Sequence, residues 1–174
     1  AALLPARYPA RLPAAERQAV SVSGAQRLGV FLTRGSLPVR GRLLLLHGLG
    51  GSVTSRYMLR TLAEAHDRGW EVARLNFRGA EEAEGGGPSF HHAGRTDDVR
   101  QTVEQIQWSA AARGSPLAAV GFSLGGAVLL KYLVEVGTAT PLAAAAGVSP
   151  PLDLAACLAE LERPRNWIYH RYYV

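Results

Sequence analysis

The sequence predicts an α/β protein, a mostly parallel sheet covered on both faces and preceded by an N-terminal antiparallel hairpin. Three observations predict it. From Leu43 onward, short apolar runs alternate with stretches of helical spacing, the order that gives parallel strands joined by crossover helices. Leu43-Leu44-Leu45-Leu46 is apolar without alternation, as expected of a strand buried on both faces. Residues 18–22 and 28–32 alternate between apolar and other side chains, and Ser23-Gly24-Ala25-Gln26 between them suits a hairpin turn.

The elements follow in order. Pro5, Pro9 and Pro13 mark residues 1–17 as an irregular arm. Met58, Leu62 and Ala65 give helical spacing over residues 57–68, and Gly69 suits the position just past the helix end. A strand is expected over 71–77, then a glycine-rich loop at 85–88. Thr96 is a good N-cap, with Asp97 and Asp98 in the first turn, where the helix dipole favours anions. Val99, Val103, Ile106 and Ala110 trace one face of that helix. A strand over 117–122 leads into a helix over 124–136 whose nearly all-apolar sequence predicts burial. A last strand spans 142–148, and two helical pieces separated by Pro164 follow Pro150-Pro151. This divides the chain into the arm (1–17), the N-terminal part of the core (18–151) and a helical segment (152–174). The aromatic stretch from Trp167 to Tyr173 makes that segment a candidate start of a lid.

Length and composition narrow the function. A chain of 174 residues supports one core and not two. Its net charge of +5 comes from scattered residues, nearly all Arg with Lys131 the sole lysine, so a solvated basic surface is expected and no nucleic-acid partner. The single Cys157 excludes an internal disulfide and a cysteine-based zinc site, and no metal or cofactor is expected. One cysteine fits a reducing compartment, so a cytoplasmic location is expected. The chain begins at Ala1 and not Met, which leaves an upstream leader or anchor open. No apolar run approaches the ~20 residues of a membrane span. Oligomeric state is not legible.

The chemistry is carried by Gly121-Phe122-Ser123-Leu124-Gly125, set between an apolar strand and an apolar helix. A serine at such a sharp turn adopts a strained backbone and needs tiny neighbours, and the turn lifts its hydroxyl clear of the sheet. Ser123 is therefore the expected nucleophile. The turn also puts the Leu124 N–H at a helix N-terminus, where it can meet a developing oxyanion. His47-Gly48-Leu49 ends an earlier strand, and its loop offers a second donor, the Leu49 N–H. Each such donor is worth about 3–4 kcal/mol of transition-state stabilisation in favourable cases. His47 is expected to shape this loop through hydrogen bonds and not to act as a base. The glycines lack the Gly-Lys-Ser/Thr ending of a phosphate loop and the spacing of a dinucleotide fingerprint.

Further segments fall in a fixed order: His47-Gly48-Leu49-Gly50-Gly51-Ser52, Leu75-Asn76-Phe77-Arg78-Gly79, Phe90-His91-His92-Ala93-Gly94-Arg95-Thr96-Asp97-Asp98, Val120 to Gly126, and Leu129-Leu130-Lys131-Tyr132-Leu133. With these motifs the chain closely resembles the YheT-like hydrolases, the AB-hydrolase-4 group of esterases, from about residue 43 to residue 174. The resemblance implies the α/β-hydrolase fold and a serine carboxylesterase acting on short- to medium-chain acyl esters, with lipid-directed activity in some membrane-anchored relatives. The partner it implies is a small-molecule or lipid-like ester. The family nucleophile carries over to Ser123. The family's Asp and His follow later strands of the sheet, which this sequence does not contain, so the C-terminal strands are expected to be missing.

In this fold the chain order is Ser, acid, His. His170 is the sole histidine after Ser123 and sits in an aromatic helical stretch. Asp153 follows the last strand and is a candidate acid, although an N-cap role explains it as well. Without a base a serine hydroxyl is a poor nucleophile, so the 174 residues alone are expected to be nearly inactive. An exposed sheet edge after 142–148 is expected to promote aggregation. Arg78 is expected to organise its loop through carbonyls or Asp97 and Asp98, with binding of an anionic substrate group as the alternative. His91 and His92 are read as loop-ordering residues that alternatively line the pocket. Two other readings stay open: a non-catalytic binding protein of the same fold, and an acyltransferase using the same serine.

Overall fold

The computed structural model describes residues 12–23, 26–80, 91–168 and 171. Its elements are β1 (Glu16–Val22), β2 (Gln26–Thr33), β3 (Gly41–Leu46), α1 (Arg56–Asp67), β4 (Trp70–Leu75), α2 (Asp97–Gln105), β5 (Leu117–Phe122), α3 (Leu124–Val136), β6 (Ala144–Val148) and α4 (Leu154–Leu161). The expected arm over residues 1–11, the glycine-rich loop at 85–88 and His170 lie outside the described residues.

The strands form one sheet in the order β1-β2-β4-β3-β5-β6. β1 and β2 pair as the expected hairpin, β2 joins β4 antiparallel, and the β4-β3-β5-β6 portion is parallel. Alternate side chains of the central strands feed two cores, as the pleat requires. Leu43, Leu45 and Val72 point to one face and bury Met58, Leu59 and Leu62 of α1. Leu44, Leu46, Ala73 and Leu75 point to the other, against Val99 of α2 and Val128 and Leu129 of α3. Covering both faces is why β3 reads as an unbroken apolar run.

α1 stops as expected. Gly69 takes φ 81°, and its N–H bonds the His66 carbonyl at 2.9 Å. Three expectations are corrected. The helix that was to continue to Ala110 ends at Gln105, because Ile106 is extended (φ −60°, ψ 129°) and Ala110 falls in a separate 3-10 turn. Thr96 precedes α2 without capping it: its hydroxyl donates to Glu135 Oε2 at 2.5 Å, tying α2 to α3. α3 is buried on one face only, through Gly125, Gly126, Val128, Leu129 and Tyr132, while Val134 is 84% exposed. β6 is the edge strand, and all of its residues are exposed.

Candidate active site

Three strands deliver their loops to one place. Leu46 of β3 lies opposite Leu75 of β4 and Gly121 of β5, so the loops after these strands leave the sheet at nearly the same level, from His47, Asn76 and, one residue past Phe122, Ser123. From β3 the chain crosses to β4 on one side, and from β4 it returns past β3 to β5 on the other. Loops diverging at such a switch point open a crevice at the carboxyl ends of the strands.

On the β5 side stands Ser123, with φ 48° and ψ −121°, a left-handed conformation disfavoured for a residue carrying a Cβ. The surrounding contacts over-determine it. The Ser123 N–H donates to the Val148 carbonyl at 2.9 Å, and the Ser123 carbonyl accepts from Gly126 and Ala127 at 2.9 and 3.1 Å. A Cβ on Gly121 would collide with the Gly125 carbonyl, and one on Gly125 with the His47 carbonyl. This is the physical content of the Gly-x-Ser-x-Gly spacing. Ser123 is exposed, and its hydroxyl has no hydrogen bond among the described residues. Leu124 is the first residue of α3, so its N–H has no carbonyl within the helix to bond.

The loop after β3 packs directly on this turn: a Cβ on Gly48 would lie 3.0 Å from Ser123 Cβ and 3.7 Å from its Oγ. The Gly48 N–H donates to the Tyr57 hydroxyl at 3.0 Å, and the Tyr57 ring packs on Phe122 at 4.7 Å. The Gly48 carbonyl accepts from the Gly51 N–H at 3.1 Å and from His47 Nδ1 at 2.8 Å. Because the peptide is planar and trans, holding that carbonyl also sets the direction of the Leu49 N–H, which points opposite to it. Leu49 itself is half exposed.

His47 is buried, and both ring nitrogens are engaged. Nε2 accepts from the Phe77 N–H at 3.1 Å, which leaves Nδ1 as the protonated nitrogen that bonds Gly48. Burial lowers its pKa, with the Gly48 carbonyl opposing. It is a neutral strut in the loop.

Asn76-Phe77-Arg78-Gly79 ties these loops together. Asn76 Oδ1 accepts from Val53 N–H at 3.0 Å, and Arg74 donates to the Val53 carbonyl at 2.8 Å. The Phe77 ring is fully buried, edge-on to His47 at 5.1 Å and stacked on His91 at 3.6 Å and 11°. Arg78 is buried with Asp98: Nε reaches Oδ1 at 2.9 Å and the guanidinium also donates to Ser23 and Gln26. Its charge is consumed inside the fold. His92 is exposed and accepts from the Gly94 N–H at 3.2 Å, within its own loop. Asp153 caps α4, accepting from Ala156 N–H at 2.8 Å.

A cavity of about 410 Å³ opens at the loop after β3, walled by His47, the 48–52 loop, Arg78 to Ala80, and His91. Of the expected site residues, His47, Leu49 and Arg78 line this cavity; Ser123 and Leu124 are not among its described walls, and Ser123 meets it through Gly48. His92 does not line the cavity. Sequence reasoning missed Tyr57 and Phe77, and it left His91 as an undifferentiated loop histidine. The signal was Asn-Phe-Arg-Gly itself, whose polar and aromatic members at a strand end mark a junction between loops.

Comparison with known proteins agrees with this arrangement. The model of the α/β-hydrolase fold matches residues 41–173. Phospholipase ABHD3 of Mus musculus is 34% identical over 135 residues, covering 78% of this chain and 32% of that protein. YheT of Escherichia coli (strain K12), named as a candidate esterase, is 35% identical over 131 residues, covering 75% and 38%. The chain therefore spans about a third of the length of these relatives. Among solved structures, esterase Pf2001 of Pyrococcus furiosus superposes with a TM-score of 0.70 at 19% identity, covering 90% of this chain and 60% of that one. The chain belongs to the α/β-hydrolase superfamily.

Proposed function

We propose that this chain carries the nucleophile and oxyanion-binding half of a serine carboxylesterase, with Ser123 as nucleophile and the Leu49 and Leu124 N–H groups as oxyanion donors. The observation that carries the reading is the strained Ser123 turn packed against Gly48. A fold does not maintain a left-handed serine at a strand end without over-determining it, and such strain clusters at reacting groups. Ester substrates follow from the similarity to an esterase-type protein and a phospholipase. A cavity of about 410 Å³ suits a short- to medium-chain acyl ester.

In this mechanism Ser123 Oγ attacks the ester carbonyl carbon, and the carbonyl oxygen becomes an oxyanion that accepts from Leu49 and Leu124. Collapse expels the alcohol and leaves an acyl group on Oγ, and water then releases the acid. The proton leaving Oγ needs a base and is passed on to the departing alkoxide. His47 cannot accept it while both nitrogens are bonded, and the burial of His91 holds its pKa down to about 3. No described side chain hydrogen-bonds the Ser123 hydroxyl, so the base is assigned outside the described residues.

Exogenous imidazole tests this directly, because it can stand in for the absent base. The 174 residues are expected to turn over p-nitrophenyl butyrate barely at all alone. Added imidazole should raise the rate well above that of Ser123→Ala under the same conditions. Equal imidazole-dependent rates in the two proteins would refute the nucleophile. Substantial Ser123-dependent turnover without imidazole would refute the missing base.

A further inference from the structure

One side chain of α1 spans the two loops that have to cooperate at the oxyanion. The Tyr57 ring packs on Phe122, the residue before Ser123, with centroids 4.7 Å apart and planes tilted by 48°. Its hydroxyl accepts the Gly48 N–H at 3.0 Å. Gly51 closes in on the same hydroxyl, so that a Cβ there would stand 2.5 Å from the oxygen. Tyr57 belongs to the first turn of α1, and its carbonyl accepts the Thr61 hydroxyl at 2.9 Å. The serine turn and the loop after β3 therefore rest on one phenol.

Gly48 is where such support counts. A Cβ at this position would lie 3.0 Å from Ser123 Cβ and 3.2 Å from the Phe122 carbonyl oxygen, so the close approach demands glycine. Glycine in turn leaves φ and ψ free at little cost, and the loop must be fixed from outside. His47 Nδ1 and the Gly51 N–H hold the Gly48 carbonyl, and among the described side chains Tyr57 alone holds its N–H. Pinning both ends of the residue sets the plane of the next peptide, whose N–H belongs to Leu49. A phenyl ring would serve the contact with Phe122 as well; the hydroxyl serves Gly48. We infer that Tyr57 is a positioning residue for the proposed reaction, its hydroxyl aligning the Leu49 N–H with the oxyanion while its ring spaces that loop from Ser123. It touches no reacting atom and acts through Gly48.

The inference rests on the esterase reading, and its test separates the two. Tyr57→Phe keeps the ring and removes the hydroxyl. Imidazole-assisted, Ser123-dependent turnover is compared for p-nitrophenyl butyrate and its thiono analogue, in which sulfur replaces the carbonyl oxygen. Sulfur is a weak hydrogen-bond acceptor, so the thiono ester depends little on the oxyanion donors. Removing a donor outright costs about 10²–10³-fold, so misaligning one should lower kcat for the oxygen ester about tenfold with KM unchanged, and for the thiono ester less than about twofold. Equal slowing of both esters, as a general loosening of the site would give, or no slowing of either, would overturn the role. The Gly48 and Leu49 amide resonances should also move in Tyr57→Phe whether or not Ser123 reacts, and unmoved resonances would overturn it too. Should Tyr57→Phe fail to fold, Gly51→Ala, whose Cβ displaces the same hydroxyl, must show the same preference between the esters. Absent turnover with those amides shifted strikes the nucleophile and leaves the positioning of the loop. Ser123-dependent turnover that slows equally for both esters strikes the positioning role and leaves the nucleophile.

Discussion

At Ser123 the backbone and the chemistry make opposite demands. Its φ of 48° suits glycine, so Ser123→Gly should stabilise the fold by about 1 kcal/mol in urea denaturation while removing the hydroxyl proposed to react. A destabilised Ser123→Gly would mean that the side chain, and not the turn, holds the loop. The serine and its glycines were legible because the collisions that exclude a Cβ are local and leave a short motif. The work of His47 was legible only in kind: a histidine at the start of a glycine-rich loop suggests a strut, but its partner Phe77 lies in the loop after another strand. The pairing of His91 with Phe77 was not legible, since no local pattern records a stack between two loops.

Buried His47 and partly buried His91 also set a pH dependence. Both are held below the ordinary 6.5, His91 at about 3. Above 6.5 both rings are neutral in the folded and unfolded chain, and stability is fully present. As pH falls through 6.5 the unfolded chain takes up protons that the folded chain refuses, so stability drops, by at most about 1.4 kcal/mol per pH unit for each histidine. For His91 the loss continues toward pH 3 and then levels off. Urea midpoints measured between neutral pH and pH 5 should fall with acid, and His91→Phe should flatten the fall. A midpoint that holds steady or rises over that range would contradict the neutral assignment.

At the level of elements, α2 shows where periodicity misleads. Val99 and Ile106 are buried on one face as the spacing requires, yet the helix stops at Gln105 and Ile106 reaches the same core in an extended conformation. Burial pattern alone cannot separate the two. What anchors α2 is polar: Asp98 at its start holds Arg78 from the loop after β4. The sequence reading favoured this organising role for Arg78 over an anion site. Arg78→Ala leaves the Asp98 carboxylate buried without its partner and should cost about 3–5 kcal/mol. Arg78→Lys should recover only part of it, because one ammonium cannot serve Asp98, Ser23 and Gln26 together. A loss below about 1 kcal/mol, read by thermal or urea unfolding, would show the pair to be incidental.

On the scale of the whole molecule, the central sheet is fully dressed and one end is not. β6 presents Ala144–Val148 with every residue exposed, and α4 buries none of its residues. Leu152, Leu154, Leu158, Trp167 and Ile168 are all at least 48% exposed. A strand edge of small residues without charge or proline is a template for pairing. Self-association of the 174 residues, followed by light scattering, should therefore be strong, and Ala146→Lys should suppress it. An equally monodisperse chain with and without the lysine would contradict this view of the edge. The order of strands and helices that builds the sheet was legible because each crossover is encoded nearby. What would complete the proposed chemistry was not, because a triad gathers residues from distant strand ends.

The central claim is that Ser123 is a reacting nucleophile held beside two oxyanion donors. A fluorophosphonate, whose phosphonyl oxygen takes the oxyanion position, tests it most directly when added with imidazole and followed by peptide mapping. A single adduct on Ser123, absent from Ser123→Ala, is the expected result. No adduct, or one spread over other serines and surviving in Ser123→Ala, would contradict it.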